Sequence, residues 1–230
     1  MRYLLSLLTL LFIANITATT IYDIQYTTIP GDDGKYPSLF VGQQVTVEGI
    51  VTAIGMSGDN YFISEPSGGE WSGIFVFDNN TMPLPGDLVS VQGTVTEHFG
   101  LTELSNVSGT IISSDNPLPN PIVIPTGSFA LPGIAEKYEC VLSATSRITV
   151  ISEFNEFNQY EINDGSGACL VDDYLYGGYV PVVGHLLDII GIVYYSYDEF
   201  KILPRNGGDI LPYGTSNKKK SWGRIKSIYK

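Results

Sequence analysis

Three segments of this chain follow one ten-residue pattern, and that pattern limits the fold more than any other feature. They are GQQVTVEGIV (Gly42 to Val51), GDLVSVQGTV (Gly86 to Val95) and GHLLDIIGIV (Gly184 to Val193). Each opens on glycine, has apolar residues at the fourth and sixth places, glycine at the eighth and valine at the tenth. Alternating apolar residues argue for a strand with one face buried. A glycine inside such a strand marks a bulge, a sharp bend or a close approach of another backbone. The chain therefore repeatedly builds a long strand that has to curl.

The surrounding segments complete the plan. After QVTVEGIVTAI come a turn at GMSGDN, a strand YFISEP, a turn at SGGEWS and a strand GIFVFD. NNTMPLPGD then leads into LVSVQGTVTEH, and FG turns the chain into LTELSNV. Gly86 and Gly184 lie 98 residues apart, and the later half repeats the order with YECVLSATSRITV, QYEIND, GACLVDD, GHLLDIIGIVYYS and EFKILP. Its first strand has lost both glycines and is a degenerate fourth copy. The prolines and polar residues of SSDNPLPNPIVIP, Ser113 to Pro125, separate the two units. Five strands with a long, bent first strand describe the small Greek-key barrel known as the OB-fold. The expected fold is all-β, two tandem five-stranded OB-like Greek-key barrels, over residues 20–115 and 120–214.

The ends read differently. Arg2, the apolar run LLSLLTLLFIA from Leu4 to Ala14 and the small residues of ITATT have the layout of a secretory signal peptide, residues 1–18. That layout predicts a secreted or cell-surface protein, with the periplasm also open. Residues 215–230 form a basic tail, in which Trp222, Ile225, Ile228 and Tyr229 fall at helical spacing among lysines and Arg224. Such a segment suits docking on an acidic surface. Export permits a disulfide between Cys140 and Cys169; two buried thiols that never meet are the alternative.

Charge sets the sharpest limit on function. Between Ile21 and Gly214 the basic residues are Lys35, Lys137, Arg147, Lys201 and Arg205, against all 24 acidic residues of the chain. Binding to a phosphate backbone draws on clustered Lys and Arg, so this body opposes it. A cationic groove gathering Lys35, Arg147, Lys201 and Arg205 would support nucleic acid; exposed Trp71 and Tyr176 on an acidic face would support a protein or neutral glycan.

The run YPSLFVGQQVTVEGIVTAI, then YFISEP, GEWSGIFVF and PGDLVSVQGTVTEHFGLTEL, with the closing KILPRNGGDI, resembles the OB-fold modules that accompany secreted bacterial nucleases, the YhcR-type and endonuclease/exonuclease-associated OB domains. The resemblance implies a non-catalytic exported accessory module, nuclease-associated and nucleic-acid-binding, standing here without a catalytic domain. The residues themselves show no nucleophile elbow, phosphate loop or metal-ligand spacing, and they imply no enzyme, cofactor or metal. OB-folds take ligands across strands two and three, between the loops joining strands one to two and four to five. That rule nominates Tyr61, Trp71, His98 and Phe99 in the first unit, and Tyr160, Tyr174, Tyr176 and Tyr197 in the second. Phe75 and Phe77, sharing one parity, are expected to face the core. The partner is single-stranded nucleic acid on the resemblance, or a surface protein or glycan on the charge.

Overall fold

The computed structural model describes residues 19–213 apart from Ser57, Asp59 and Asn79; the expected leader (1–18) and basic tail (215–230) lie outside the described residues. Strands β1 (Gln44–Ile54), β2 (Asn60–Ser64), β3 (Gly73–Phe77), β4 (Leu88–His98) and β5 (Leu101–Ser113) close a barrel in the order β1-β2-β3-β5-β4. β3 and β5 run parallel and the other neighbours antiparallel, which is the OB connection. After the linker, β6 (Ile122–Val123) precedes a second barrel of β7 (Leu142–Val150), β8 (Tyr160–Asn163), β9 (Ala168–Val171), β10 (Leu186–Ser196) and β11 (Glu199–Leu203). β10 pairs with β7 to close it, and β12 (Ile210–Pro212) pairs with the start of β10 on the edge that β11 occupies further along. The chain is all-β, built of two OB-like barrels.

The repeat is explained by its pairing. β1 and β4 lie antiparallel, and the first residue of each copy bonds the tenth of the other: Gly42 N–H donates to Val95 O (2.9 Å) and Gly86 N–H to Val51 O (2.9 Å). The pattern is thus a self-complementary strand that seals a barrel against its own copy. Gly42, Gly86 and Gly184 have φ of 81°, 95° and 89°, a turn that glycine enters without strain. In the second barrel Cys140 stands where that glycine would, at φ 60°; its N–H donates to Val193 O (2.8 Å), and Val193 N–H returns to Val141 O (3.1 Å). The degenerate copy therefore keeps the turn and has lost the residue suited to it. At the eighth place Gly191 lies against Leu203, whose carbonyl oxygen would be 2.5 Å from a Cβ. Gly49 is not the bulge site; the β1–β2 irregularity falls at Thr52, and Gly49 instead makes room for Ile21, Ile63 and Ser64.

Each barrel is also plugged by a short helical segment preceding its first strand. In the first, α1 (Ile21–Gln25) is started by a capping box of Thr20 and Asp23 and sends Ile21 and Ile24 into the core. In the second, a 3-10 turn (Thr126–Ala130), α2 (Pro132–Ala135) and a second 3-10 turn (Glu136–Tyr138) contribute Phe129 and Ala135. The acidic Asp164 holds this plug to the β8–β9 turn, accepting from Thr126 N–H and Oγ1 and from Ser166 N–H.

Candidate functional site

In β2 and β3 the residues alternate between two apolar environments. Tyr61, Ile63, Ile74 and Val76 fill the first barrel, while Phe62 and Phe75 point outward and are nevertheless buried. The outward pair packs on Cys140, Leu142, Leu175, Ile192 and Leu203 of the second barrel, and Tyr194 meets Phe62 edge-on at 6.0 Å. The face that an OB-fold offers to ligands is thus, in the first barrel, a seam between barrels. Polar groups close its rim. Thr102 N–H donates to Glu139 Oε1 (3.0 Å), Trp71 N–H to Lys137 O (2.6 Å) and Gln25 Nε2 to Gly73 O (2.6 Å). Arg205 Nη1 donates to Thr52 O (3.2 Å), a carbonyl freed by the β1 irregularity.

The equivalent face of the second barrel is open. Glu161 of β8 and Ala168 of β9 are exposed there, beside half-buried Leu170. This face borders a cleft of about 750 Å³. Its other walls are the Asp33–Tyr36 loop, the plug residues Phe129 to Glu136, Gly100 in the β4–β5 turn, and Tyr195 and Asp198 at the β10–β11 turn. Lys35 staples the two equivalent turns together: its Nζ donates to Phe99 O (3.0 Å) and pairs with Asp198 Oδ1 (3.1 Å). Gly100, at φ 99°, leaves the space that Lys35 and the Tyr195 ring fill; a Cβ there would meet them at 2.6 and 2.8 Å.

The nominated aromatics divide sharply. Tyr61, Trp71 and Tyr160 are buried, which removes them as stacking platforms. Tyr61 faces inward because its hydroxyl finds Asp78 (3.1 Å), so a tyrosine can occupy the interior parity and Phe75 takes the outer one. Phe77, on the outer parity too, is exposed and is not core. Trp71 sits at the seam edge-on to Tyr26, and Tyr160 packs inside the second barrel against Phe154 and Tyr179. Tyr174 stacks on Tyr194 at 5.5 Å beside the seam, and half-buried Tyr176 packs on the second core. Exposed aromatic surface remains at Phe99, which His98 meets edge-on, and at Tyr197; each lies in a turn bordering the cleft. Cys140 and Cys169 are both free thiols, one in the seam and the other inside the second barrel, so no disulfide joins them.

Sequence reading missed Tyr36, Glu136, Glu161 and Tyr195. One signal was legible: QYEIN places a glutamate where NYFIS has phenylalanine, in strands of the same rank. Glu136 carried none, because its burial arises from the packing of the plug on the first barrel.

Charge at the site is acidic and its few cations are engaged. Lys35 pairs with Asp198, Lys137 with Glu70, Lys201 with Asp172 and Arg205 with Asp209, while Arg147 lies over the Tyr213 ring. Lys201 is buried. The cationic groove required for phosphate binding is therefore not formed among the described residues. Burial raises the carboxyls of Glu97, Glu103, Glu136 and Glu139. Glu136, with Glu97 as a like-charged neighbour, is pushed up to about 8.

No family model matches the sequence, and no curated protein matches it. Among solved structures, the chain is similar to a murine DNA-binding protein bound with double-stranded DNA, at 11% identity and a TM-score of 0.38, over 75% of this chain and 97% of that one. It is also similar to the Ifi202 HINa domain in complex with 20 bp double-stranded DNA, at 9% identity and a TM-score of 0.35, over 71% and 92% of the two chains. A third structure, described as structural mimicry for functional antagonism, has 10% identity and a TM-score of 0.33, over 76% and 93%. The DNA in the first two belongs to those proteins.

Proposed function

We propose that this chain is an exported, non-catalytic binding module, an accessory of the nuclease-associated kind, whose direct partner is a protein with a cationic or neutral surface. The observation that carries the reading is the commitment of the body's cations: four of its five are held in ion pairs, and the accessible cleft is walled by carboxylates. An acidic body of this kind repels a polyanion and attracts a basic protein. The strand motifs shared with nuclease-associated modules fit the same role, since a protein that grips nucleic acid is itself cationic. Export rests on residues 1–18, and their removal from the secreted protein, read by N-terminal sequencing, checks it.

A second reading places nucleic acid on the tail, where residues 215–230 hold six basic residues and no acidic one. Titration of labelled single- and double-stranded DNA with the full mature chain across a salt series separates the two. The protein-partner reading expects binding no tighter than the roughly 10⁻⁴ to 10⁻⁶ M of non-specific association, with any residual binding lost as salt rises. Submicromolar affinity at physiological salt would overturn it and make nucleic acid the direct ligand.

A further inference from the structure

The cleft beside the second barrel contains a group whose environment asks for a partner. Glu136 is 5% exposed, lines the cleft, and among the described residues its carboxyl accepts no hydrogen bond and joins no ion pair. Burying a carboxylate without donors is costly, and its charged neighbours are the carboxyls of Glu97 and Glu139. Glu97 is already served by Ser38 N–H (2.9 Å) and Thr102 Oγ1 (2.7 Å). Five carboxyls line the cleft, those of Asp33, Glu136, Glu161, Asp198 and Glu199, against the single ammonium of Lys35. That ammonium is taken by Asp198 and a backbone carbonyl.

The remaining lining is apolar and aromatic: Tyr36, Phe129, Pro132, Leu170, Tyr195 and Phe200. Rings beside a carboxyl suit a cation on an aliphatic stem, which gains contact along the stem and both ion-pair and cation–π attraction at its head. The volume, about 750 Å³, lies within the roughly 300–1,000 Å³ usual for ligand clefts.

We infer that this cleft is the docking site for a lysine or arginine side chain of the protein partner, with Glu136 as the anion that receives it. The inference rests on the partner being a protein with a cationic surface and assigns the point of contact. Glu136 gains from the ligand the donors that the fold does not provide. Tyr36 and Tyr195 flank the stem, and Gly100 and Gly133 keep those rings in place by leaving room for them.

The test uses the full mature chain and fluorescent octalysine at low salt and pH 8.5, where Glu136 carries its charge, read by anisotropy, with Glu136→Gln and Glu48→Gln compared. Glu48 is exposed on β1, outside the cleft lining, so its replacement removes the same formal charge elsewhere. Glu136→Gln is expected to weaken octalysine about tenfold or more, and Glu48→Gln less than about twofold. Thermal unfolding supplies the second readout. Glu136→Gln should raise the melting temperature at pH 8 while it lowers affinity, a pairing that damage to the fold cannot produce. Equal weakening by both variants would overturn the cleft as the site and leave attraction by the acidic body standing. No binding of octalysine by the wild-type chain would overturn the cationic partner as well. Spermidine binding more tightly than octalysine would overturn a protein side chain as the source of the cation.

Discussion

The two barrels place the same strand in opposite surroundings. NYFIS and QYEIN are second strands of equal rank, and both put a tyrosine and an isoleucine inside: Tyr61 and Ile63 in one, Tyr160 and Ile162 in the other. Between them the outward residue is Phe62 in the first barrel and Glu161 in the second. Their partners on the third strands are Phe75 and Leu170. The phenylalanines make a face that must be covered, and the second barrel covers it. The glutamate makes a face that must stay wet. One outward position thus separates a seam from a ligand surface, while the inward positions merely maintain the barrel.

Substitution at that position gives the largest effect. Phe62→Ala should cost about 3–5 kcal/mol, since it empties a site at the centre of the seam. Glu161→Ala, on the open face, should stay within about 0.5 kcal/mol. Urea unfolding of both variants measures the contrast. Equal costs would mean that the seam contributes little to stability and that the barrels are independent. Phe62→Glu sharpens the point by writing the second barrel's residue into the first. It buries an unpaired carboxylate, and limited proteolysis should then cut within residues 114–121 between the barrels.

Acidity gives the next contrast, because the seam and its margin hold carboxyls raised by burial. A raised carboxyl binds its proton more tightly folded than unfolded, so its contribution is complete below the unfolded value of 4.5 and is lost as pH rises. For Glu136 the loss is complete once pH passes about 8. Burial raises Glu97, Glu103 and Glu139 in the same sense, with His98 and Asp33 as the other titratable groups near them and Lys35 beside Glu136 in the cleft. Asp23 and Asp164 are lowered by the hydrogen bonds they accept, from Thr20 and from Ser166 and Thr126 respectively, and they lose stability as pH falls through their range below 3.8. Stability should therefore peak near pH 4, between the two ranges. From there to pH 8.5, Glu136 alone removes at most about 4 kcal/mol. Melting curves over this range should fall for the wild-type chain and fall less steeply for Glu136→Gln, in which Glu97, Glu103 and Glu139 remain. A wild-type curve that rises instead would show that these carboxyls ionise without penalty.

The barrels themselves were legible in sequence because their signals are local. Glycines at fixed places in a period-two strand report a curled backbone, and all ten barrel strands lie where that reading puts them. What the strands face was not legible. Tyr61 and Phe75 are both large and aromatic, and a hydroxyl with a buried acceptor at Asp78 reverses the parity that hydrophobicity suggests. Trp71 resembles a ligand platform until the neighbouring barrel covers it. The cleft is assembled from the N-terminal loop, the plug and two distant turns, so no stretch of sequence contains it. At its border Phe99 and Tyr197 are exposed, because hairpin turns cannot bury their tips.

The smallest contrast is between the glycine turns and the turn that lost its glycine. Gly184 lies at φ 89° with nothing within 4 Å of a Cβ, so Gly184→Ala adds no clash and isolates the backbone cost. That cost should be about 1 kcal/mol, offset in part by the reduced freedom of the unfolded chain. Cys140 already bears the same backbone strain at φ 60° and compensates with full burial in the seam. Cys140→Ala therefore tests packing alone, and its cost should scale with the lost sulfur atom. Cys140→Gly relieves the strain but empties more of the seam. If the turn dominates, Cys140→Gly will be the more stable of the two in urea unfolding; if the seam dominates, Cys140→Ala will be. The second outcome is expected, because Cys140 touches both barrels and the first barrel comes so near that a Cβ on Gly73 would collide with the Cys140 carbonyl. A seam this close has been favoured over an unstrained turn.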